Sequence, residues 1–194
     1  CNRFMNKLSN FSWTQIIRLG LVQMSIGGIV VLTTSTLNRI MVVELLMPAL
    51  LPGVLVAIHY AVQIIRPRMG FGSDKSGRCT PWIISGMAIL CIGGITSTLA
   101  TVLMFSSPTL GVLLALFGFL AIGIGVSASG TALLTLLAKR VNNERRASAA
   151  TVVWLMMIAG FAITAAISGQ FLDPFSYERL IFISSTIAFI SFFL

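Results

Sequence analysis

Acidic side chains are nearly missing from this chain. Five of its 194 residues are Asp or Glu, and only Asp74 and Asp173 are aspartates. An enzyme that holds Mg²⁺ and a diphosphate draws on clustered carboxylates, and no such cluster can be assembled here. Histidine is scarcer still: His59 is the single one, so no Ser/His/Asp or Cys/His set is available. The three cysteines, Cys1, Cys79 and Cys91, lack metal-ligand spacing. Cys91 lies inside a hydrophobic run, so neither a disulfide framework nor a zinc site is expected. Charge of either sign is short as well, at 9%, against about 25% in soluble domains. A water-exposed surface cannot be built from this composition.

What is present is apolar length. Hydrophobic residues make up 57% of the chain and mean hydropathy is +0.99. They fall in long runs rather than periodic stripes, the mark of membrane-spanning helices. Six segments are long enough for a hydrocarbon core of about 30 Å. They lie near 17–37, 45–65, 82–104, 110–136, 148–172 and 179–194. The expected fold is an all-α membrane protein, with a short segment 1–16 followed by a six-helix bundle over 17–194. The chain opens on Cys1 and stops inside the run Phe192-Phe193-Leu194. It therefore reads as a fragment.

A net charge of +8 in a soluble protein would point to nucleic acid. Here the basic residues are confined to short segments between apolar runs, so no nucleic-acid partner is expected and the partner is the lipid bilayer. Arg3, Lys7 and Arg18 precede or open the first span. Arg66, Arg68, Lys75 and Arg78 follow the second, and Lys139, Arg140, Arg145 and Arg146 follow the fourth. Only Arg39 and Arg179 fall on the other side. The positive-inside rule puts the N-terminus and these loops in the cytoplasm.

Three features inside the spans carry chemistry or packing. His59 in span two is an ionisable group within the membrane, which is a functional hypothesis by default. It reads either as a hydrogen-bonded helix contact or as a ligand for the magnesium of a bound pigment, with Tyr60 and Gln63 as neighbours. Span four carries Gly118, Gly123, Gly125, Ser127, Ala128, Ser129 and Gly130, a smooth face for helix packing or for a planar ligand. Arg39 and Glu44 flank the first connection, as an ion pair or, together with Asn38, as a portal or partner contact. The hydroxyls of Thr33-Thr34-Ser35-Thr36 can bond to carbonyls of their own helix.

The segment Gly70-Phe71-Gly72-Ser73-Asp74-Lys75-Ser76-Gly77-Arg78 resembles the signature loop of the major facilitator superfamily at Gly70, Asp74, Lys75, Gly77 and Arg78. Cys79 departs from the usual basic residue. The stretch Asn143-Glu144-Arg145-Arg146-Ala147 is similar to that superfamily's loop between spans four and five. The resemblance implies the N-terminal half of a major-facilitator-type fold, built from inverted three-helix repeats. It also implies a conformational latch, with Glu144, Arg145 or Arg146 as partners for Asp74 and Arg78. No repeat is visible in the sequence itself.

The resemblance narrows at Arg18-Leu19-Gly20-Leu21-Val22-Gln23 and at Thr36-Leu37-Asn38-Arg39-Ile40-Met41-Val42-Val43-Glu44-Leu45. Both look like the bacteriochlorophyll-delivery branch of the superfamily, closest to its relative labelled a bacteriochlorophyll synthase subunit. Pro48-Ala49-Leu50, His59-Tyr60-Ala61-Val62-Gln63, Arg66-Pro67-Arg68 and Thr80-Pro81-Trp82 agree. This implies a non-enzymatic factor in a bacterial inner, intracytoplasmic photosynthetic membrane. Bacteriochlorophyll or chlorophyll would be its bound cargo, and its partners a pigment-synthesis enzyme and antenna or reaction-centre polypeptides. The alternative is a secondary transporter of a small solute. No acidic residue lies mid-membrane and span four is uncharged, so ion-coupled antiport loses weight.

Overall fold

A computed structural model describes residues 11–194, so Arg3, Lys7 and most of the 1–16 segment lie outside the described residues. Six helices follow one another: α1 (Trp13–Glu44), α2 (Leu50–Lys75), α3 (Cys79–Ser106), α4 (Pro108–Arg140), α5 (Asn143–Phe171) and α6 (Tyr177–Phe193). No strand occurs among the described residues. The first five are long and apolar enough to cross a membrane. The sixth has 17 residues, or about 26 Å at the α-helical rise.

Most of the helices overrun the expected spans because polar residues can continue a helix beyond the hydrocarbon; α2 instead begins at Leu50, later than the expected 45, because α1 runs on to Glu44. The largest difference is at the signature segment. Expected from its resemblance to be a loop, it is helical as far as Lys75 and turns only at Gly77, whose φ of +65° is left-handed and favours glycine. Pro67 is accommodated inside α2 by a change of hydrogen-bond pattern. It has no N–H to offer the Gln63 carbonyl, and the ladder tightens to a 3₁₀ turn over Gln63–Ile65.

Helices α3 and α4 lie closest together, and their small residues explain why. A Cβ on Gly125 would stand 2.6 Å from the Leu90 backbone nitrogen, and one on Gly93 would stand 2.8 Å from that of Ile122. Helix α1 packs on α5 in the same manner, with Gly27 against Met157 and Phe161. Helix α6 lies beside α3, where the Cys91 thiol donates to the Ala188 carbonyl at 3.4 Å. One apolar cluster includes Ile16, Leu137 and Val141. A second, including Leu37, Met41, Met104 and Leu180, fills the opposite end. Helices α2 and α5 bury the least of their surface within the bundle.

The basic segments converge at one end. The Phe11 backbone N–H donates to the Arg140 carbonyl at 3.0 Å, tying the start of α1 to the end of α4. Asp74 at the end of α2 forms an ion pair with Lys139 near the end of α4.

Candidate functional site

A cavity of about 340 Å³ lies between α1, α2, α4 and α5. Each wall follows from local sequence. Helix α1 brings Gln23, a buried amide in a mainly apolar stretch. Helix α2 brings His59 and, one and two turns on, Gln63 and Arg66. Helix α4 brings Gly130, at which a Cβ would meet nothing within 4 Å, and α5 brings Trp154, Met157 and Phe161. The small-residue face of α4 is therefore divided between two uses. Gly118 and Gly125 are closed against α3 and Gly123 against α2, while Gly130 opens on the cavity.

His59 is fully buried. A Cβ on Gly123 would stand 2.8 Å from the His59 carbonyl oxygen, so α2 and α4 touch backbone to side at this level. The Gln63 amide lies 2.9 Å from His59 Nε2, and the Tyr60 ring meets the imidazole edge-on with centroids 4.8 Å apart. Nδ1 of His59 has no hydrogen-bond partner. Nor has Oε1 of Gln23, whose amide nitrogen sits 3.2 Å from the Met157 sulfur. A buried polar atom without a partner carries a desolvation cost of about 1–3 kcal/mol. Two such atoms on residues that line one cavity can be relieved by one polar or metal-bearing ligand.

The other predicted residues occupy the two ends. Gly70 and Gly72 let the end of α2 lie on Thr131 of α4 and on the Trp82 ring of α3. Asp74 pairs with Lys139, the one ion pair among the described residues. Glu144, Arg145 and Arg146 are exposed at the start of α5, where Arg146 reaches the Val141 carbonyl at 3.5 Å. Lys75, Gly77 and Arg78 are exposed around the turn into α3. At the opposite end, Arg39 and Glu44 are both exposed and form no ion pair with each other. Two π-helical stretches, Leu32–Thr36 and Ile40–Glu44, bracket Leu37-Asn38-Arg39. Oδ1 of Asn38 is buried there without a partner. Such π stretches cluster at functional positions. Thr33 and Thr34 donate to carbonyls of their own helix, Ile29 and Val30. No group of His, Cys, Asp and Glu able to hold a metal ion occurs among the described residues.

The family model described as PUCC protein matches residues 36–194. The chain belongs to the PUCC family. Among its relatives, the bacteriochlorophyll synthase 44.5 kDa chain of Rhodobacter capsulatus is 55% identical over 171 residues, covering 88% of this chain and 40% of the relative. Protein PucC of Rhodobacter capsulatus is 33% identical over 181 residues, covering 87% of this chain and 39% of its own length. Protein PucC of Rhodovulum sulfidophilum is 28% identical over 180 residues, covering 87% and 40%. The chain thus spans about two fifths of the length of these PUCC relatives. The matched region takes in the bracketed Asn38, the cavity residues from His59 onward and both basic connections, while Gln23 lies before it.

Sequence reasoning had pointed to His59 and to Asp74. It missed Gln23, Arg66 and Trp154 as cavity residues, and Lys139 as the partner of Asp74. An amide alone in an apolar run was the available signal for Gln23. For Lys139 there was only its place at the end of span four.

Proposed function

We propose that this chain belongs to a membrane factor that handles or delivers (bacterio)chlorophyll during assembly of light-harvesting or reaction-centre complexes, and that its role is carriage rather than catalysis. The observation that supports this reading is the four-helix cavity in which His59 Nδ1 and Gln23 Oε1 lie buried without partners, in a PUCC-family chain. A neutral imidazole binds magnesium through one nitrogen while a neighbour fixes the other. The Gln63 amide nitrogen stands at Nε2, which puts the imidazole proton on Nδ1; with the amide turned to present its oxygen, Nε2 carries the proton and Nδ1 is the nitrogen offered to a pigment. His59 is fully buried, so ligation belongs to an opened state of the bundle. Rocking of two halves in a six-plus-six major-facilitator arrangement produces such states. In this reading α6 is the sixth span, Asp74, held to Lys139 within this half, belongs to the latch segment, and the basic end faces the cytoplasm of a photosynthetic inner membrane. The partners are a pigment-synthesis enzyme and antenna or reaction-centre polypeptides.

The test is an absorption spectrum of the full-length protein gently purified from its native membrane. Stoichiometric bacteriochlorophyll bands that disappear in His59→Phe are the expected result. A colourless wild-type protein would end the pigment reading. A second reading, carriage of a small anionic solute, is favoured by one observation, Arg66 on the cavity wall. Gradient-dependent, saturable uptake by the full-length protein would support it.

A further inference from the structure

A second, larger cavity of about 530 Å³ lies at the basic end, outside the four-helix cavity, and its walls include Arg78, Thr80, Leu136, Lys139 and Arg140. Three cations converge on one hollow, a field that favours an anion sharing the space. Asp74 answers only one of them, through Lys139. Thr80 and Leu136 are also walls of a third hollow of about 370 Å³. This one runs along α3 past Ile84 and Met87, with Phe192 of α6 on its other side. It is apolar. A basic hollow and an apolar groove meeting at a shared wall, at the end of a membrane bundle, match a molecule with an anionic head and a hydrocarbon tail.

We infer that the Arg78/Lys139/Arg140 hollow and the adjoining Ile84/Met87 groove together bind one anionic phospholipid. The phosphodiester lies among the three cations and one acyl chain lies along α3. Arg78 and Arg140 supply forked donors suited to phosphate oxygens, and Lys139 supplies a point charge. Lys139 is shared with Asp74, so the lipid head and the carboxylate compete for the same ammonium. Lipid occupancy then loosens the contact between the ends of α2 and α4. This inference does not depend on what the four-helix cavity holds.

The test uses the full-length protein in phosphatidylcholine nanodiscs doped with phosphatidylglycerol, with retained lipid counted by native mass spectrometry. Wild type should retain phosphatidylglycerol preferentially, and Arg78→Gln/Arg140→Gln should lower that preference on the order of tenfold. Arg68→Gln/Arg145→Gln removes the same charge from the same end but outside the hollow, and should keep the preference. Asp74→Asn should strengthen it by freeing Lys139. Ile84→Trp obstructs the groove without touching a charge and should weaken retention, which keeps the inference testable if the double arginine variant does not fold. No preference in wild type, or full preference in the double arginine variant, overturns the site. Equal loss in the Arg68/Arg145 control reduces it to general surface charge. Retention undiminished in Ile84→Trp overturns the groove. Displacement by inorganic phosphate as readily as by lipid would show a phosphate site with no lipid in it.

Discussion

The Gln63 amide stands 2.9 Å from Nε2 of His59, and the opposite ring nitrogen, Nδ1, is buried with nothing to bond. The two residues are four apart on one helix, so the contact is local and survives movements of α2 as a body. Gln63 thereby sets which nitrogen a ligand can use. The amide can present either its oxygen or its nitrogen to Nε2. Only the oxygen-facing form leaves Nδ1 as a lone pair for a metal.

Replacing Gln63 with leucine should therefore reduce pigment retention while His59 stays in place. Removing a partner that orients a metal-binding histidine typically costs 10- to 100-fold in affinity. A loss on the order of tenfold is expected in the pigment-to-protein absorbance ratio, with unchanged protein in the membrane. Full retention would mean that the Nε2 contact plays no part in binding.

Two glycines on α4 should respond in opposite ways to alanine. A Cβ on Gly123 meets the His59 carbonyl oxygen at 2.8 Å, whereas one on Gly130 meets nothing within 4 Å. Gly123→Ala must push two backbones apart, at a cost of about 1–3 kcal/mol, and should lower the melting temperature in detergent. Gly130→Ala should leave it unchanged. Gly130→Phe should fill the cavity and displace its cargo from a folded protein.

Asp74→Asn removes the one ion pair among the described residues. The pair is exposed, so thermal stability and membrane abundance should barely change. Accumulation of antenna complexes should fall if the pair is a latch. The exchange Asp74→Lys with Lys139→Asp should restore it. Normal accumulation in Asp74→Asn would remove the latch role from this contact.

Asn38→Leu separates stability from function at the far end of α1. Its Oδ1 is buried without a partner, so an apolar replacement should hold or raise the melting temperature. If the Leu37-Asn38-Arg39 segment contacts a partner, complex assembly should nonetheless drop. Wild-type assembly in this variant would count against a partner role for Asn38.

The apolar runs and the clustering of basic residues were legible because lipid demands long uninterrupted hydrophobic stretches. His59 stood out because an imidazole at that depth is expensive. The extension of α2 through Gly70 and Asp74 was not legible. Two glycines, a serine and an aspartate within Gly70–Asp74 speak against helix locally, but packing of Gly70 on Thr131 and Gly72 on Trp82 outweighs that preference. Pairing of Asp74 with Lys139 was hidden for a related reason. It depends on where two helices end, and such boundaries are the least certain part of a sequence reading. Gln23 was passed over because it ionises at no pH, although its side-chain oxygen is one of two unpartnered atoms on residues that line the cavity.

The π stretch Leu32–Thr36 has a consequence for how this protein tolerates change in length. Each π turn takes up roughly one residue more than an α turn, so the same count of residues wound wholly as α would turn everything beyond it by about a further 100°. Deleting a single residue between 32 and 36 would let the helix relax to α geometry with Asn38 and Arg39 still on their present face. Inserting one there would instead swing both away, although no side chain in the segment had changed. Single deletions there should be absorbed far more readily than insertions. The aim of the Leu37-Asn38-Arg39 segment is set by a count of residues as much as by their chemistry.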